Sequence, residues 1–339
     1  MPVFRLIGWR LLTAIPNLVG VVVVTFVLTH LLPGDPAAYF AGPSATAASI
    51  EETRHRLGLD RTLTEQFIVY VQGLGRGDLG NSLISGQPVL VDLVNRLPAS
   101  FELTLAALLL AVAIGVPLGT QAALRPGGWT DRACSLISTL GQAMPTFFLG
   151  LLLVFVFYYL LDWAPAPLGR LDSIYAPPPT VTTFWSIDAL LAGDLRLFVA
   201  VIGQLALPVT TLGLFGVGPL ARMTRASLLE VLSSDYVRTA RAAGLPPRQV
   251  VWTYAFHNAL VPILNTAGMV FSFLLGANVL VEKVFGWPGI GAYAIEALLA
   301  SDFAPVQGFV IVMALFYLLV NLAIDVVTVV IDPRVAIAA

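Results

Sequence analysis

Long apolar runs recur along the whole of this sequence, and little charge separates them. Only 11% of the 339 residues are charged, whereas soluble domains carry about 25%, and the mean hydropathy is +0.86. A helix needs about 20 apolar residues to cross a bilayer. The runs of this length lie at residues 11–32, 100–124, 133–161, 197–220, 263–285 and 305–331. The sequence therefore predicts an all-α integral membrane protein with six transmembrane helices.

Two polar excursions interrupt the pattern. The first, at residues 33–98, predicts a division into residues 1–98, which hold the first transmembrane helix and the excursion, and a core membrane domain at residues 99–335. Near its end, one helical face is apolar and is predicted to lie along the membrane or against a partner (Val89, Leu90, Leu93, Val94, Leu97). The second excursion, at residues 162–196, is rich in proline, which predicts an extended segment outside the bilayer.

A polar loop at residues 221–262 carries five arginines and is predicted to form two short helices joined by a sharp bend. Polar residues 233–235 can accept hydrogen bonds at a helix start, and residues 236–243 are rich in the helix formers Ala and Arg. Gly244 stands where a left-handed residue ends a helix. Prolines 246 and 247 suit the first turn of the next helix, whose far end is predicted at Pro262.

Two interpretations of this loop remain open. The bend presents small residues that a partner protein could approach closely (Ala240, Ala242, Ala243, Gly244). Arginine-rich helices beside a membrane are also often amphipathic segments that face lipid. Residue types alone do not decide between a docking surface and a lipid-facing surface.

Charged residues within or beside the apolar runs cost free energy in a membrane and usually have a functional or structural role. Glu282 and Lys283 lie at the end of the fifth run and Asp325 in the sixth. Because charge is tolerated at the ends of spans, we favour anchoring over contact with a substrate for these residues. Glu102 is predicted to lie favourably near a helix N-terminus.

Several function classes lack their sequence signatures. The net charge of −2 provides no basic surface for nucleic acid. The only lysine, Lys283, is not part of a GxxxxGK motif, so a P-loop is absent and any ATP must be hydrolysed by another polypeptide. His30, His55 and His257 share no metal-ligand spacing, and Cys134 is the only cysteine. The sequence predicts no catalytic residue, no metal site and no cofactor.

The string DYVRTARAAG within the loop resembles the coupling loop of binding-protein-dependent ABC importer permeases, whose usual pattern is Glu-Ala-Ala, three residues, then Gly. Here Arg replaces the Glu and Thr the first Ala, as in the dipeptide, oligopeptide and nickel branch. Further strings resemble the first permease of dipeptide and oligopeptide importers: LLPGDP, LGLDRTLTEQF, GDLGNS, QAMPTFFLG, HNALVP, VEKVFGWPGIG and IDPR. The resemblance implies an ATPase-coupling site made of Asp235, Arg238, Thr239, Ala240, Arg241, Ala243 and Gly244.

The resemblance also implies a type I ABC importer permease fold and a set of partners. These are a second homologous permease, two ATPase subunits docked on the cytoplasmic coupling loop at residues 221–262, an extracytoplasmic substrate-binding protein, and a peptide substrate. The branch leaves nickel or another small solute open as the cargo. A secondary transporter and an intramembrane hydrolase are the rivals, but the sequence lacks a mid-membrane charge cluster for the first and a GxSxG motif for the second.

The distribution of arginine predicts the orientation in the membrane. Six spans place both termini on one side, together with the arginines of the short loops (Arg5, Arg10, Arg125, Arg132, Arg334) and those of the loop at 221–262. Short cytoplasmic loops collect Lys and Arg. We therefore expect a multi-pass protein of the bacterial cytoplasmic membrane, with cytoplasmic termini and a periplasmic excursion at residues 33–98.

Overall fold

A computed structural model describes residues 2–31, 35–42 and 44–331, with side chains described from residue 7 onward. Within these ranges the regular structure is helical apart from one isolated β-bridge between Asn81 and Pro88. The strings LLPGDP and IDPR fall partly outside the described residues, and so do Arg334 and the side chain of Arg5.

The helices follow one another in the order predicted from the apolar runs, with short helices in both excursions. They are α1 (Pro2–Leu31), α2 (Pro36–Ala41), α3 (Ala47–Arg56), α4 (Leu63–Gly75), α5 (Val89–Leu124), α6 (Trp129–Ala143), α7 (Thr146–Leu153), α8 (Trp185–Leu191), α9 (Leu195–Leu232), α10 (Asp235–Ala242), α11 (Pro247–Gln249), α12 (His257–Val284), α13 (Ile290–Leu299) and α14 (Phe303–Ile331). A π-helical segment, Val154–Leu160, continues α7, and another, Val250–Phe256, joins α11 to α12.

Five of the described helices are long and apolar enough to cross a membrane: Ile7–Leu31 of α1, then α5, α9, the continuous helix Pro247–Val284, and α14. The sixth predicted span is a bent pair, in which α6 and the helix Thr146–Leu160 meet at 99°. The break lies at Met144 and Pro145, and Met144 has an extended backbone. Proline has no N–H to donate and disfavours helix at the residue before it, so the bend predicted at Pro145 is confirmed.

Helix ends differ from the predicted ones at two prolines. The second span, predicted to start at residue 100, instead starts at Val89 as α5, which contains the predicted apolar face at residues 89–97 and continues through Pro98. The short helix predicted to end at Pro262 instead continues to Val284. Both predictions were wrong because one interior proline removes only one backbone hydrogen bond, at about 3 kcal/mol. The packing of a helix of 28 or 36 residues outweighs that cost.

One compact unit contains Ala99–Trp287 and parts of the terminal helices. Its core lies where α5, α9 and α12 pack, and Leu103, Leu212, Leu220 and Leu274 have no exposed surface there. Glycines let the helices approach closely: a Cβ on Gly216 would lie 2.8 Å from the Ala111 Cβ. This unit holds the predicted coupling loop.

The second compact unit contains Trp9–Pro98 and Pro288–Leu319. Val89 and Leu93 pack with Ile290 and Tyr293 in its core, so part of the apolar face predicted for a membrane or partner is covered by this chain itself. The Asp302 carboxylate accepts hydrogen bonds from the Ser82 hydroxyl (3.0 Å) and the Leu83 N–H (2.7 Å). The division predicted at residues 98 and 99 stays a prediction.

Candidate functional site

Helix α10 and the turn after it form the predicted coupling segment. Ser234 has an extended backbone before α10, but its hydroxyl donates to the Val231 carbonyl and caps no N–H of α10. At the other end Gly244 has φ +78°, which glycine adopts without strain. The Gly244 N–H donates to the Arg241 carbonyl (3.0 Å) and the Leu245 N–H to the Ala240 carbonyl (3.3 Å). The helix end predicted at Gly244 is present, and the chain reverses sharply there.

The two faces of α10 differ in burial. Val237 and Ala240 are buried and pack against Val250, so Ala240 supports the helix from beneath and does not belong to the exposed surface on which it was predicted. Arg238, Thr239, Arg241, Ala242, Ala243 and Gly244 are exposed, as is Asp235. Asp235 and Arg238 form an ion pair at 3.3 Å with largely exposed side chains, which contributes little to stability. The exposed face is therefore basic, with small residues at its C-terminal end.

Helix α9 leads into α10 through residues 233 and 234, and a charged pair connects α9 to α6. Arg225 donates from Nε to Asp131 Oδ1 (2.5 Å) and from Nη2 to Oδ2 (3.0 Å). Asp131 also accepts from the Gly127 N–H at 2.8 Å. Further along the same interface, the Ser138 hydroxyl donates to the Gly218 carbonyl at 3.1 Å. The α6 helix is thus fixed to the part of α9 that precedes α10.

The Arg225→Ala substitution tests this connection. It removes two hydrogen bonds from a carboxylate whose side chain is only 11% exposed, so we expect a loss of about 2 kcal/mol in the free energy of unfolding. The midpoint of unfolding by SDS from detergent micelles measures it. Arg222→Ala is the matched control, because Arg222 makes a single hydrogen bond to the Gln142 side chain on the exposed surface. Equal midpoints for the two variants would contradict the expected stabilisation by the ion pair between Arg225 and Asp131.

A second charged group lies at the opposite end of α9 and was missed from the sequence. Arg170 Nη2 donates to Glu102 Oε2 (2.6 Å) and to the Thr183 carbonyl (2.9 Å), and its guanidinium stacks 4.2 Å from the centre of the Trp185 ring. Glu102 Oε1 accepts from the Ser186 N–H at 2.8 Å. Burial lowers the pKa of Arg170, and the Glu102 charge opposes that shift. The segment at 162–196 is thereby held to α5.

Glu102 is therefore not near a helix N-terminus, because α5 begins at Val89. Glu282, predicted to be an anchoring residue at the end of a span, is 1% exposed. It accepts from the Ser100 hydroxyl (2.5 Å) and the Asn278 side-chain amide (2.8 Å). These contacts join α12 to α5, so Glu282 has a structural role in the compact unit that contains Ala99–Trp287.

Among the described residues, no group of three or more His, Cys, Asp or Glu side chains is placed to hold a metal ion. Cys134 is buried as a free thiol. The buried charged side chains described above are paired with one another by hydrogen bonds, although Arg170 Nε has no partner among the described residues. Such pairing supports structure.

Comparison with known proteins agrees with the fold and the motifs. Residues 115–337 match the family "Binding-protein-dependent transport system inner membrane component", and residues 3–104 match the N-terminal part of such components. The chain is 44% identical over 316 residues to the probable D,D-dipeptide transport system permease protein DdpB of Escherichia coli K12, covering 93% of each chain. It is 40% identical to the di/tripeptide transport system permease protein DppB of Pseudomonas aeruginosa UCBPP-PA14, covering 97% of this chain and 98% of that protein.

A solved structure of the MetNI methionine ABC transporter in inward-facing conformations shares the fold. Its TM-score is 0.52 at 17% sequence identity, over 72% of this chain and 97% of the other. The all-helical type I permease fold predicted from the motif strings is confirmed, and so is the resemblance to peptide importer permeases. The chain therefore belongs to the family of inner membrane components of binding-protein-dependent transport systems, and it is a transport permease and not an enzyme.

Proposed function

We propose that this chain is one of two homologous permeases of an importer that moves di- or oligopeptides across the bacterial cytoplasmic membrane. The relatives carry this substrate class in their names, at 44% and 40% identity over nearly the full chain. Nickel is the weaker alternative, since the described residues include no cluster of metal ligands. An extracytoplasmic binding protein delivers the peptide, and two separate ATPase subunits supply the energy.

The ATPase subunits dock on the exposed face of α10. The observation that carries this part of the proposal is the helix itself, whose buried residues Val237 and Ala240 fix it to the protein while its arginines point outward. Exposed arginines can pair with carboxylates of a partner in fork geometry. Because the chain reverses direction at Gly244, α10 cannot lengthen beyond this point when an ATPase subunit moves it. A lipid-facing segment would instead expose several large apolar side chains, whereas Tyr236 is the one large ring exposed on α10.

The orientation follows from the docking surface. ATP is cytoplasmic, so α10 and the arginine-bearing short loops lie in the cytoplasm, in keeping with the charge rule. Both termini then lie in the cytoplasm, and residues 36–88 lie in the periplasm. Helix α9 has 38 residues and reaches about 57 Å, well beyond the roughly 30 Å hydrocarbon layer. Its excess length projects α10 from the membrane.

The break between α6 and α7 is our candidate for a wall of the translocation path. At Met144 and Pro145 two helix ends meet at 99°, and the carbonyls at the end of α6 and the N–H groups at the start of α7 lack partners within their helices. Non-helical backbone at membrane depth is tolerated where it is covered by protein or lines a water-filled cavity. A water-filled path between this chain and the second permease would supply hydrogen-bond partners for the carbonyls of α6 and the N–H groups of α7. ATPase closure switches the pair between inward-open and outward-open packing.

A two-site variant, Arg241→Glu with Ala243→Arg, tests the docking surface without disturbing the buried side of α10. Both residues are exposed, so folding and membrane insertion should be preserved. We expect co-purification of the ATPase subunits with the permease pair to fall about tenfold, which corresponds to 1.4 kcal/mol of binding free energy. Uptake of a labelled dipeptide into cells should fall in parallel.

The control is Arg196→Glu, an exposed charge reversal at the other end of α9. It should leave both ATPase recovery and uptake at the wild-type level. Undiminished ATPase recovery with the α10 variant would remove the docking proposal. Failure of the wild-type importer to take up any labelled di- or oligopeptide would remove the proposed substrate.

A further inference from the structure

A cavity of about 490 Å³ lies within the second compact unit, beside the C-terminal end of α1. Its walls come from α1, the end of α3 and the turn after it, α4, the turn at residues 78–80 and the start of α14. Cavities of about 300–1,000 Å³ are the usual size for small-molecule sites. No residue of the coupling segment or of the α6–α7 break lines it.

Three exposed charged side chains line this cavity. Arg56, Arg61 and Asp78 line it, and none of the three has an ion-pair partner within the described ranges. Two neighbouring side chains do have partners: Arg54 contacts Asp35 at 2.5 Å, and His55, which also lines the cavity, lies 2.8 Å from Asp60. The cavity therefore presents two positive side chains and one negative side chain that form no ion pair with one another.

A buried hydroxyl in the wall also lacks a partner. Tyr70 is one of the residues that line the cavity, and its hydroxyl is shielded from solvent and has no hydrogen-bond partner among the described residues. Its ring stacks on Phe26 at 5.8 Å. The adjacent Gln66 is satisfied, since its amide donates to the Arg61 carbonyl (2.9 Å) and its oxygen lies 3.1 Å from His30 Nε2. Burial raises the pKa of Tyr70 to about 12, so the hydroxyl keeps its proton and can donate.

We propose that this cavity binds a small zwitterionic peptide on the external side of the permease, before the peptide enters the membrane. Arg56 and Arg61 hold the carboxylate of the peptide. This carboxylate also accepts a hydrogen bond from the Tyr70 hydroxyl, which is an unpaired buried donor when no peptide is bound. The ammonium group lies toward Asp78, and an apolar side chain packs against Phe26. The substrate class and the external location rest on the proposed function.

The test uses the permease pair with its ATPases, purified without the binding protein in phosphatidylcholine nanodiscs, and the labelled dipeptide Ala-Phe. We expect saturable binding that is weakened at least about tenfold in the double variant Arg56→Gln with Arg61→Gln, because two charge-assisted hydrogen bonds are lost. Tyr70→Phe should weaken binding about threefold to tenfold. It should not lower the melting temperature of the complex, since the hydroxyl satisfies no protein group. Arg76→Gln, an exposed arginine outside the lining, should bind like wild type.

Two comparisons identify the groups recognised. Ala-Phe amide, which lacks the carboxylate, should bind the wild-type complex as weakly as Ala-Phe binds the double arginine variant. Equal affinity of wild type and both cavity variants for Ala-Phe would overturn the inference, and so would equal affinity of the wild type for Ala-Phe and its amide. Peptide uptake by the intact importer is measured in parallel. Normal uptake with unchanged affinities overturns the cavity site alone, whereas absence of uptake in wild type overturns the proposed function.

Discussion

Replacing Arg170 by methionine is expected to cost about 3–5 kcal/mol of the free energy of unfolding, because the buried Glu102 carboxylate then loses its cationic partner. Both side chains are almost inaccessible, at 7% and 5% exposure. Methionine fills much of the volume of the aliphatic part of arginine, so loss of charge dominates over loss of packing. The measurement is SDS denaturation of the purified permease from detergent micelles, with the apparent melting temperature as a second readout.

A double variant distinguishes the cost of leaving one buried charge unpaired from the cost of losing the whole ion pair. Arg170→Met with Glu102→Leu removes both charges, and we expect it to be more stable than Arg170→Met alone, since no buried charge is left unpaired. Arg196→Met is the surface control and should change stability by less than about 0.5 kcal/mol. If Arg170→Met unfolds at the wild-type midpoint, then the ion pair does not hold the segment at 162–196 to α5.

Local chemistry allowed much of the fold to be predicted. The apolar runs located the long helices, Gly244 located the end of α10, and Pro145 located the break between α6 and α7. Each of these features depends on residues that are neighbours in sequence. Proline was less informative at Pro98 and Pro262, because tertiary packing along a long helix outweighs the loss of one hydrogen bond.

The charged contacts could not be predicted in the same way. Glu102 and Arg170 are 68 residues apart, and Asp131 and Arg225 are 94 apart. A carboxylate within an apolar run signals that a partner exists, but helical periodicity does not say which distant arginine supplies it. The burial of Ala240 was missed for a related reason: α10 is only 8 residues long, and its inward face depends on Val250 from the following helix.

Helix α9 combines these features, since it contacts α5, α6 and α12 and leads into α10. Arg225 and Gly218 tie it to α6, and Gly119 of α5 lies against Ala221. These contacts surround residues 218–225, a single stretch of two turns shortly before α10. A displacement of α10 by an ATPase would therefore move α5 and α6 together with α9, as closely packed interiors transmit strain.

Gly119→Val tests this packing and is expected to cost about 3 kcal/mol or more, because the new side chain would overfill a closed interface. A Cβ at Gly119 would lie 2.8 Å from the Thr224 Cβ and nearer still to the Ala221 carbonyl oxygen. Backbone on the facing helix cannot move aside as a flexible side chain can, so α5 and α9 must separate. SDS denaturation of the purified permease measures the cost in free energy of unfolding.

Gly276→Ala provides the matched control, since an added Cβ there meets nothing within 4 Å. Alanine stabilises a helix interior by about 0.5–1 kcal/mol relative to glycine, so this variant should unfold at or above the wild-type midpoint. The opposite signs of the two changes distinguish close helix approach from a general sensitivity of membrane helices to substitution at glycine. A Gly119→Val protein as stable as wild type would mean that α5 and α9 are not in direct backbone contact at this point, and the transmission of α10 movement to α5 would then lose its physical basis.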